Sequence, residues 1–153
     1  AEAGIDNIEF REGQIEDLPA EDDSFDCVIS NGVINLAPDK RRVFVEASRV
    51  LRPAGRLAIA DIVSEAQLTE AIVCNADLWA ACIGGAAQLD AYRAVIEAAG
   101  FSVKEVQENP YAFISEQAMN ASAKYGVKSI SLLAVVANDS AAPVGAPPPG
   151  RAP

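Results

Sequence analysis

Two apolar runs, "FDCVIS" at Phe25–Ser30 and "GRLAIADIV" at Gly55–Val63, bracket a single amphipathic stretch, and this order constrains the fold more than any other feature of the chain. The first run is apolar almost throughout, the pattern of a strand covered on both faces of a parallel sheet, and is expected to be central. Between the runs Val43, Phe44, Ala47, Val50 and Leu51 recur at helical spacing, with Arg41, Arg42, Glu46 and Arg49 elsewhere. That spacing predicts an amphipathic helix over 39–51, stopped by Pro53 and Gly55. Strand, helix and strand joined by short connections make a parallel crossover unit, so the class is α/β.

The flanks extend this unit. Ile8 and Phe10 suggest a short strand ending at Gly13, followed by a polar loop, "IEDLPAEDDS". The alanine-rich region 65–87 reads as helical, broken by Gly84 and Gly85. "LDAYRAVIEAAG" is a further helix with Gly100 as its stop. "FSVKEVQE" alternates like a strand, "SEQAMNASAKYG" reads as a helix or loop excursion, and "KSISLLAVVA" closes the fold as an apolar strand. An antiparallel edge strand is expected at this end of the sheet. Past Asn138 the composition changes, with five of the nine prolines in the last eleven residues. A tail over 139–153 is therefore expected to be disordered, leaving 1–138 as the folded unit.

Charge and residue usage narrow the function. A net charge of −10, from 22 acidic and 12 basic residues, repels phosphate backbones and anionic lipid, so neither nucleic acid nor a membrane is an expected partner. The longest apolar runs are far too short to span a bilayer. The absence of histidine removes imidazole bases and the commonest zinc ligand together. Cys27, Cys74 and Cys82 are an odd number without paired spacing, which suits reduced thiols and a cytoplasmic location rather than a disulfide framework. Cys27, inside an apolar strand, reads as a buried structural cysteine.

Ligands of open α/β sheets sit outside the carboxyl ends of the strands. Here those ends are Gly13 to Asp17, Ser30 to Asn35 and Asp61 to Ser64, each carrying small or polar residues directly after an apolar run. The text from "FREGQIEDLP" through "VISNGVINLAPDKRRVF" to "RVLRPAGRLAIADI", with "AACIGGA" further on, resembles the second half of class I S-adenosylmethionine-dependent methyltransferases. Within that superfamily it is most similar to the arsenite methyltransferase family.

The resemblance implies a Rossmann-like sheet whose first two strands, with their Gly-rich turn, would precede Ala1, so the chain is expected to be a fragment. It implies S-adenosyl-L-methionine as cofactor, with Gln14, Ile15 and Glu16 beside the adenine and Ser30, Asn31 and Gly32 at the methionine end. It implies a small-molecule methyl acceptor, As(III), with Cys82 as a thiolate ligand. The family's other thiolate in this half falls in the elbow, where the alignment sets Ile34, and one thiol in place of two weakens arsenic chelation. The alternatives are a methyltransferase for a small organic or thiol substrate, or a non-catalytic binding fragment. If the chain is naturally truncated, an uncovered sheet invites a homodimer.

Overall fold

The computed structural model describes residues 6–137; the expected proline-rich tail lies outside them. Strand β1 (Phe25–Asn31) leads through a 3-10 turn at Ile34–Leu36 into helix α1 (Lys40–Val50). The side chain of Asp39 caps α1 by accepting from the Arg42 amide at 3.1 Å. Pro38 therefore stands one residue outside the cap. Strand β2 (Leu51–Ser64) then runs parallel to β1, pairing Val28 with Leu57 and Asn31 with Ala60. Its register jumps between Phe25↔Leu51 and Cys27↔Arg56, so residues 52–55 bulge out of the ladder. Gly55 is required there: a Cβ would lie 2.7 Å from the Arg52 carbonyl oxygen.

Two short helices follow, α2 (Glu70–Val73) and α3 (Ala76–Ala80), then the two-residue strand β3 (Ala87–Gln88) and helix α4 (Leu89–Ala98). The helical region expected over 65–87, with its break at Gly84 and Gly85, is thus reduced to two short helices and broken earlier as well. Asn75 takes an extended conformation and accepts from the Leu78 amide at 2.9 Å, capping α3 and interrupting the helix before it. Strand β4 (Phe101–Asn109), helix α5 (Glu116–Tyr125) and strand β5 (Lys128–Val136) complete the chain. Ser115 caps α5, and Gly126 ends it at φ +62°.

The sheet order is β1-β2-β5-β4, with β3 beside the end of β2. β5 is antiparallel to both neighbours, so the antiparallel strand expected at this end is inserted inside the sheet and β4 forms the edge. One face is covered by α1 and α4, where Phe44 and Tyr92 meet edge to face at 5.4 Å between ring centroids. Leu57, Ile59 and Val63 point into that core with Ile96, Phe101, Ile130 and Leu132. A second cluster, with Ile62, Leu78, Ile83 and Val127, packs under α2, α3 and α5 near the carboxyl end of β2.

Three expectations fail here for one reason. Residues 8–13 form no strand, and Phe10 is 93% exposed. β1 is an edge strand rather than a central one, and Cys27 is exposed rather than buried. Among the described residues nothing pairs with the outer edge of β1 or covers the face that carries Ile29, which is 79% exposed. An apolar run needs that second neighbour before it becomes a buried strand.

Candidate functional site

At the end of β1 the chain turns through Gly32, at φ +71°, while the Gly32 amide still donates to Ala60 O at 2.9 Å. This prolongs the parallel ladder by one bond and then releases the chain into the 3-10 turn. Asn35, on that turn, is 1% exposed. Its side-chain amide donates to Ile62 O at 2.6 Å and to Cys82 O at 3.3 Å, tying the elbow to β2 and to the segment after α3. Gly85 presses against the same residue: a Cβ there would lie 1.9 Å from Asn35 O. No side chain larger than hydrogen fits at 85 without moving the elbow.

Cys82 lies just beyond α3 in a left-handed conformation, φ +61°, uncommon for a residue with a side chain. Its amide donates to Trp79 O at 2.9 Å, and its thiol donates to Gly32 O at 3.3 Å. Burial, and then the Asp61 carboxylate, push the thiol above its ordinary pKa. Asp61 is itself 3% exposed. It accepts from the Ile62 amide and from the Tyr92 hydroxyl, each at 3.0 Å. Burial raises its pKa, opposed by those two donors and by Lys40. Lys40, whose ammonium reaches the carbonyls of Asn35 and Ala37, is lowered by burial and held up partly by Asp61.

Two cavities meet at this elbow. One, of about 180 Å³, is lined by Asn31, Gly32, Asp61, Cys82, Tyr111 and Ser129 among others. The other, of about 250 Å³, is lined by Ile15, Leu18, Val28, Ser30, Asn31 and Val33 among others. Asn31 lines both. Of the residues singled out from the sequence, Ile15, Ser30 and Asn31 thus share one cavity, and Asn31, Gly32 and Cys82 the other. Gln14 and Glu16 line neither, although Glu16 Oε1 and Ser30 Oγ are buried with no protein partner. The Gln14–Asp17 turn closes with an amide-to-carbonyl bond of 3.0 Å.

Ile34 requires a correction. Its side chain is 2% exposed and belongs to the main hydrophobic core, so it does not face Cys82. The position that does is Gly32, where a Cβ would lie 3.8 Å from Cys82 Sγ. A second thiolate opposite Cys82 would come from position 32, and Ile34 is no gap in a ligand set. Nor do the other cysteines supply one: Cys74 caps the C-terminal end of α2, and Cys27 lies on the exposed edge strand. Among the described residues no group of three or more Cys, Asp or Glu side chains could hold a metal ion.

The acidic loop that presents Ile15 is fastened to α1. Glu46 accepts from the Leu18 amide at 2.7 Å and from Arg49 at 2.6 and 2.9 Å, while Arg49 also donates to Leu18 O at 3.2 Å. The Arg49 guanidinium accordingly holds the Glu46 carboxyl below its ordinary pKa.

Residues 1–100 match the methyltransferase domain family. The chain belongs to that family. Over 118 residues it is 42% identical to an arsenite methyltransferase of Halobacterium salinarum, covering 76% of this chain and 30% of that protein. Over 119 residues it is 35% identical to an arsenite methyltransferase of Aquipseudomonas alcaligenes, covering 76% of this chain and 34% of the relative. The crystal structure of an arsenic(III) S-adenosylmethionine methyltransferase from Chlamydomonas reinhardtii superposes with a TM-score of 0.69 at 30% identity, over 88% of this chain and 46% of that one. This methyltransferase-domain chain therefore spans about a third of the length of the curated relatives it matches, and its sheet is that of the Rossmann-like class I enzymes.

Asn35 and Asp61 were marked from the sequence only as bounds of the strand ends where ligands sit, with no role assigned, and the Glu46–Arg49 pair escaped that reading. Asp61 carried a signal, as the one acidic residue inside "GRLAIADIV". Asn35 carried none beyond its place in the elbow.

Proposed function

We propose that this chain carries the acceptor side, and part of the cofactor side, of an S-adenosylmethionine-dependent methyltransferase whose acceptor is trivalent arsenic. The observation that supports this most is Asn31: a single residue borders both the cavity lined by Ile15 and the cavity lined by Cys82. Methyl transfer needs donor and acceptor in contact along one line, and two cavities meeting at one side chain meet that need.

The residues present suit the cofactor. Ile15 and Val28 offer apolar surface to a flat ring, and Ser30, which lines the same cavity, has an Oγ with no protein partner, a group the polar edge of an adenosyl moiety could meet. S-adenosylmethionine, when bound, supplies an electrophilic methyl on a sulfonium. Everything else is done by the chain. Ile15, with Gln14 and Glu16 around it, would hold the adenine, and Ser30, Asn31 and Gly32 the methionine end. Cys82 would bond the arsenic as thiolate, a soft ligand for a soft centre, displacing one hydroxyl of arsenite, which leaves as water with the thiol proton. The arsenic lone pair needs no base, in keeping with a chain that has no histidine. The small acceptor cavity excludes macromolecules and limits water around the reacting atoms.

A second reading, methyl transfer to a small organic or thiol acceptor, is favoured by the presence of only one thiol in the acceptor cavity. Incubating the protein with arsenite and methyl-labelled cofactor separates the two: label on arsenic supports the first, whereas label on a small thiol and none on arsenic supports the second. No helix among the described residues is long and apolar enough to cross a membrane. The free state of Cys27, Cys74 and Cys82 favours a reducing cytoplasm. If the chain is naturally truncated, the open face bearing Ile29 favours a homodimer, for which gel filtration at several concentrations is the test; a monomer at every concentration rules it out.

A further inference from the structure

Cys82 stands in a backbone conformation that a residue with a Cβ does not adopt unaided, so the neighbouring structure must hold it there. Its amide is engaged by Trp79 O within its own turn. Its carbonyl is engaged from outside, by the carboxamide of Asn35. That carboxamide is 1% exposed and bonded at 2.6 Å to Ile62 O, so it is immobilised on β2 rather than floating between loops. Gly85 and Lys40 fix the Asn35 backbone from two further sides, by close approach and by an ammonium contact at 3.4 Å.

We propose that Asn35 is a positioning residue: its carboxamide clamps the elbow, β2 and the Cys82 turn together and so holds Cys82 Sγ on Gly32 at the junction of the two cavities. The role of Cys82 as acceptor ligand rests on the function proposed above, but the clamp is a claim about where the thiol sits and can be read without catalysis. Once the clamp is released, Cys82 relaxes towards negative φ, its Sγ leaves Gly32 O, and the thiol gains solvent. The charged and titratable groups around it are Asp61, Lys40 and the hydroxyls of Tyr92 and Tyr111, and they stay in place.

The test measures alkylation of Cys82 by iodoacetamide against pH in protein carrying Cys27→Ser and Cys74→Ser. Asn35→Ala is expected to move the midpoint of the profile down towards the ordinary thiol value and to speed alkylation at pH 7 several-fold, as the thiol leaves Gly32 O and gains solvent. Gly85→Ala, which displaces Asn35 from the opposite side, is expected to shift the profile the same way. Ile130→Val serves as a control, because it weakens the core and leaves the clamp intact. A folded Asn35→Ala protein with the parent's rate and midpoint overturns the proposal, as does an equal shift in Ile130→Val. If Asn35→Ala does not fold, NMR on the parent decides: alkylating Cys82 should shift the Asn35 side-chain amide signals, and unmoved signals overturn the clamp. Failure of arsenic methylation with this profile intact would sink the functional reading and leave the clamp standing.

Discussion

The two sides of the elbow are built differently. On the acceptor side Asn35, Asp61 and Tyr92 are buried, bonded to one another's strands and helices, and covered by α1, α4 and the second core cluster. On the proposed cofactor side Ile15 is carried by a loop pinned through the Glu46–Arg49 pair on α1, Glu16 and Ser30 keep unpartnered polar atoms, and Ile29 lies open. The difference teaches where each function is encoded. On the proposed function, acceptor geometry would come from contacts within these residues, whereas cofactor affinity would depend on how firmly the loop carrying Ile15 is held and on whatever meets the open face.

Four substitutions can break or sharpen this contrast. Cys82→Ser, the largest effect, removes the soft ligand and should weaken As(III) binding by at least about 100-fold in equilibrium dialysis, while leaving the loop around Ile15 unchanged in hydrogen exchange. Gly32→Cys should act in the opposite direction. Its Cβ would lie 3.8 Å from Cys82 Sγ, so two thiolates could share one arsenic, and affinity should rise by about tenfold or more despite the strain of φ +71°. If Ile34→Cys tightens binding instead, the placement of Ile34 in the core is wrong.

Glu46→Gln tests the other side. The Leu18 amide should exchange with solvent about tenfold faster while the Cys82 turn is unaffected, and stability should fall by about 1–2 kcal/mol for the lost charge-assisted bonds. Because the Glu46 pKa is lowered on folding, its contribution is present above the carboxylate's unfolded value and is lost as pH falls through the folded one. Urea midpoints of the parent and Glu46→Gln should therefore converge on acidification, and a gap that persists at low pH contradicts the assignment.

Asp61→Asn should have the smallest effect. Without the Asp61 charge the Cys82 thiol titrates lower, and alkylation at pH 7 should quicken about threefold. Burial raises the Asp61 pKa, so the carboxylate costs stability once pH exceeds its unfolded value. The variant should accordingly match or exceed the parent in urea at pH 7 and lose that margin in acid. A marked loss at pH 7 would mean that the Tyr92 bond outweighs the desolvation.

The crossover unit was legible because its signals are local: the apolar period of Val43, Phe44, Ala47 and Val50, and the Pro53 and Gly55 that follow the helix. Residues 8–13 and the central place of β1 were misread, because the same alternation describes a paired strand and an unpaired one, and pairing is decided by a neighbour. Ser30, Asn31 and Gly32 were legible as a polar elbow after an apolar run. The Cys82–Gly32 contact was not, since it joins residues 50 apart through a turn whose handedness the residue names do not record. Ile34 was misassigned for a related reason. It opens the 3-10 turn with its side chain in the main core, whereas Gly32, two residues earlier, stands beside Cys82 in the elbow.

The central claim is that a single thiol at the meeting point of two cavities captures the acceptor. It is tested most directly by alkylating the Cys27→Ser, Cys74→Ser protein with and without arsenite and following Cys82 by mass spectrometry. The account predicts that arsenite protects Cys82 and that the protection is reversed by an excess of a competing dithiol. Alkylation of Cys82 at the same rate with and without arsenite would contradict it.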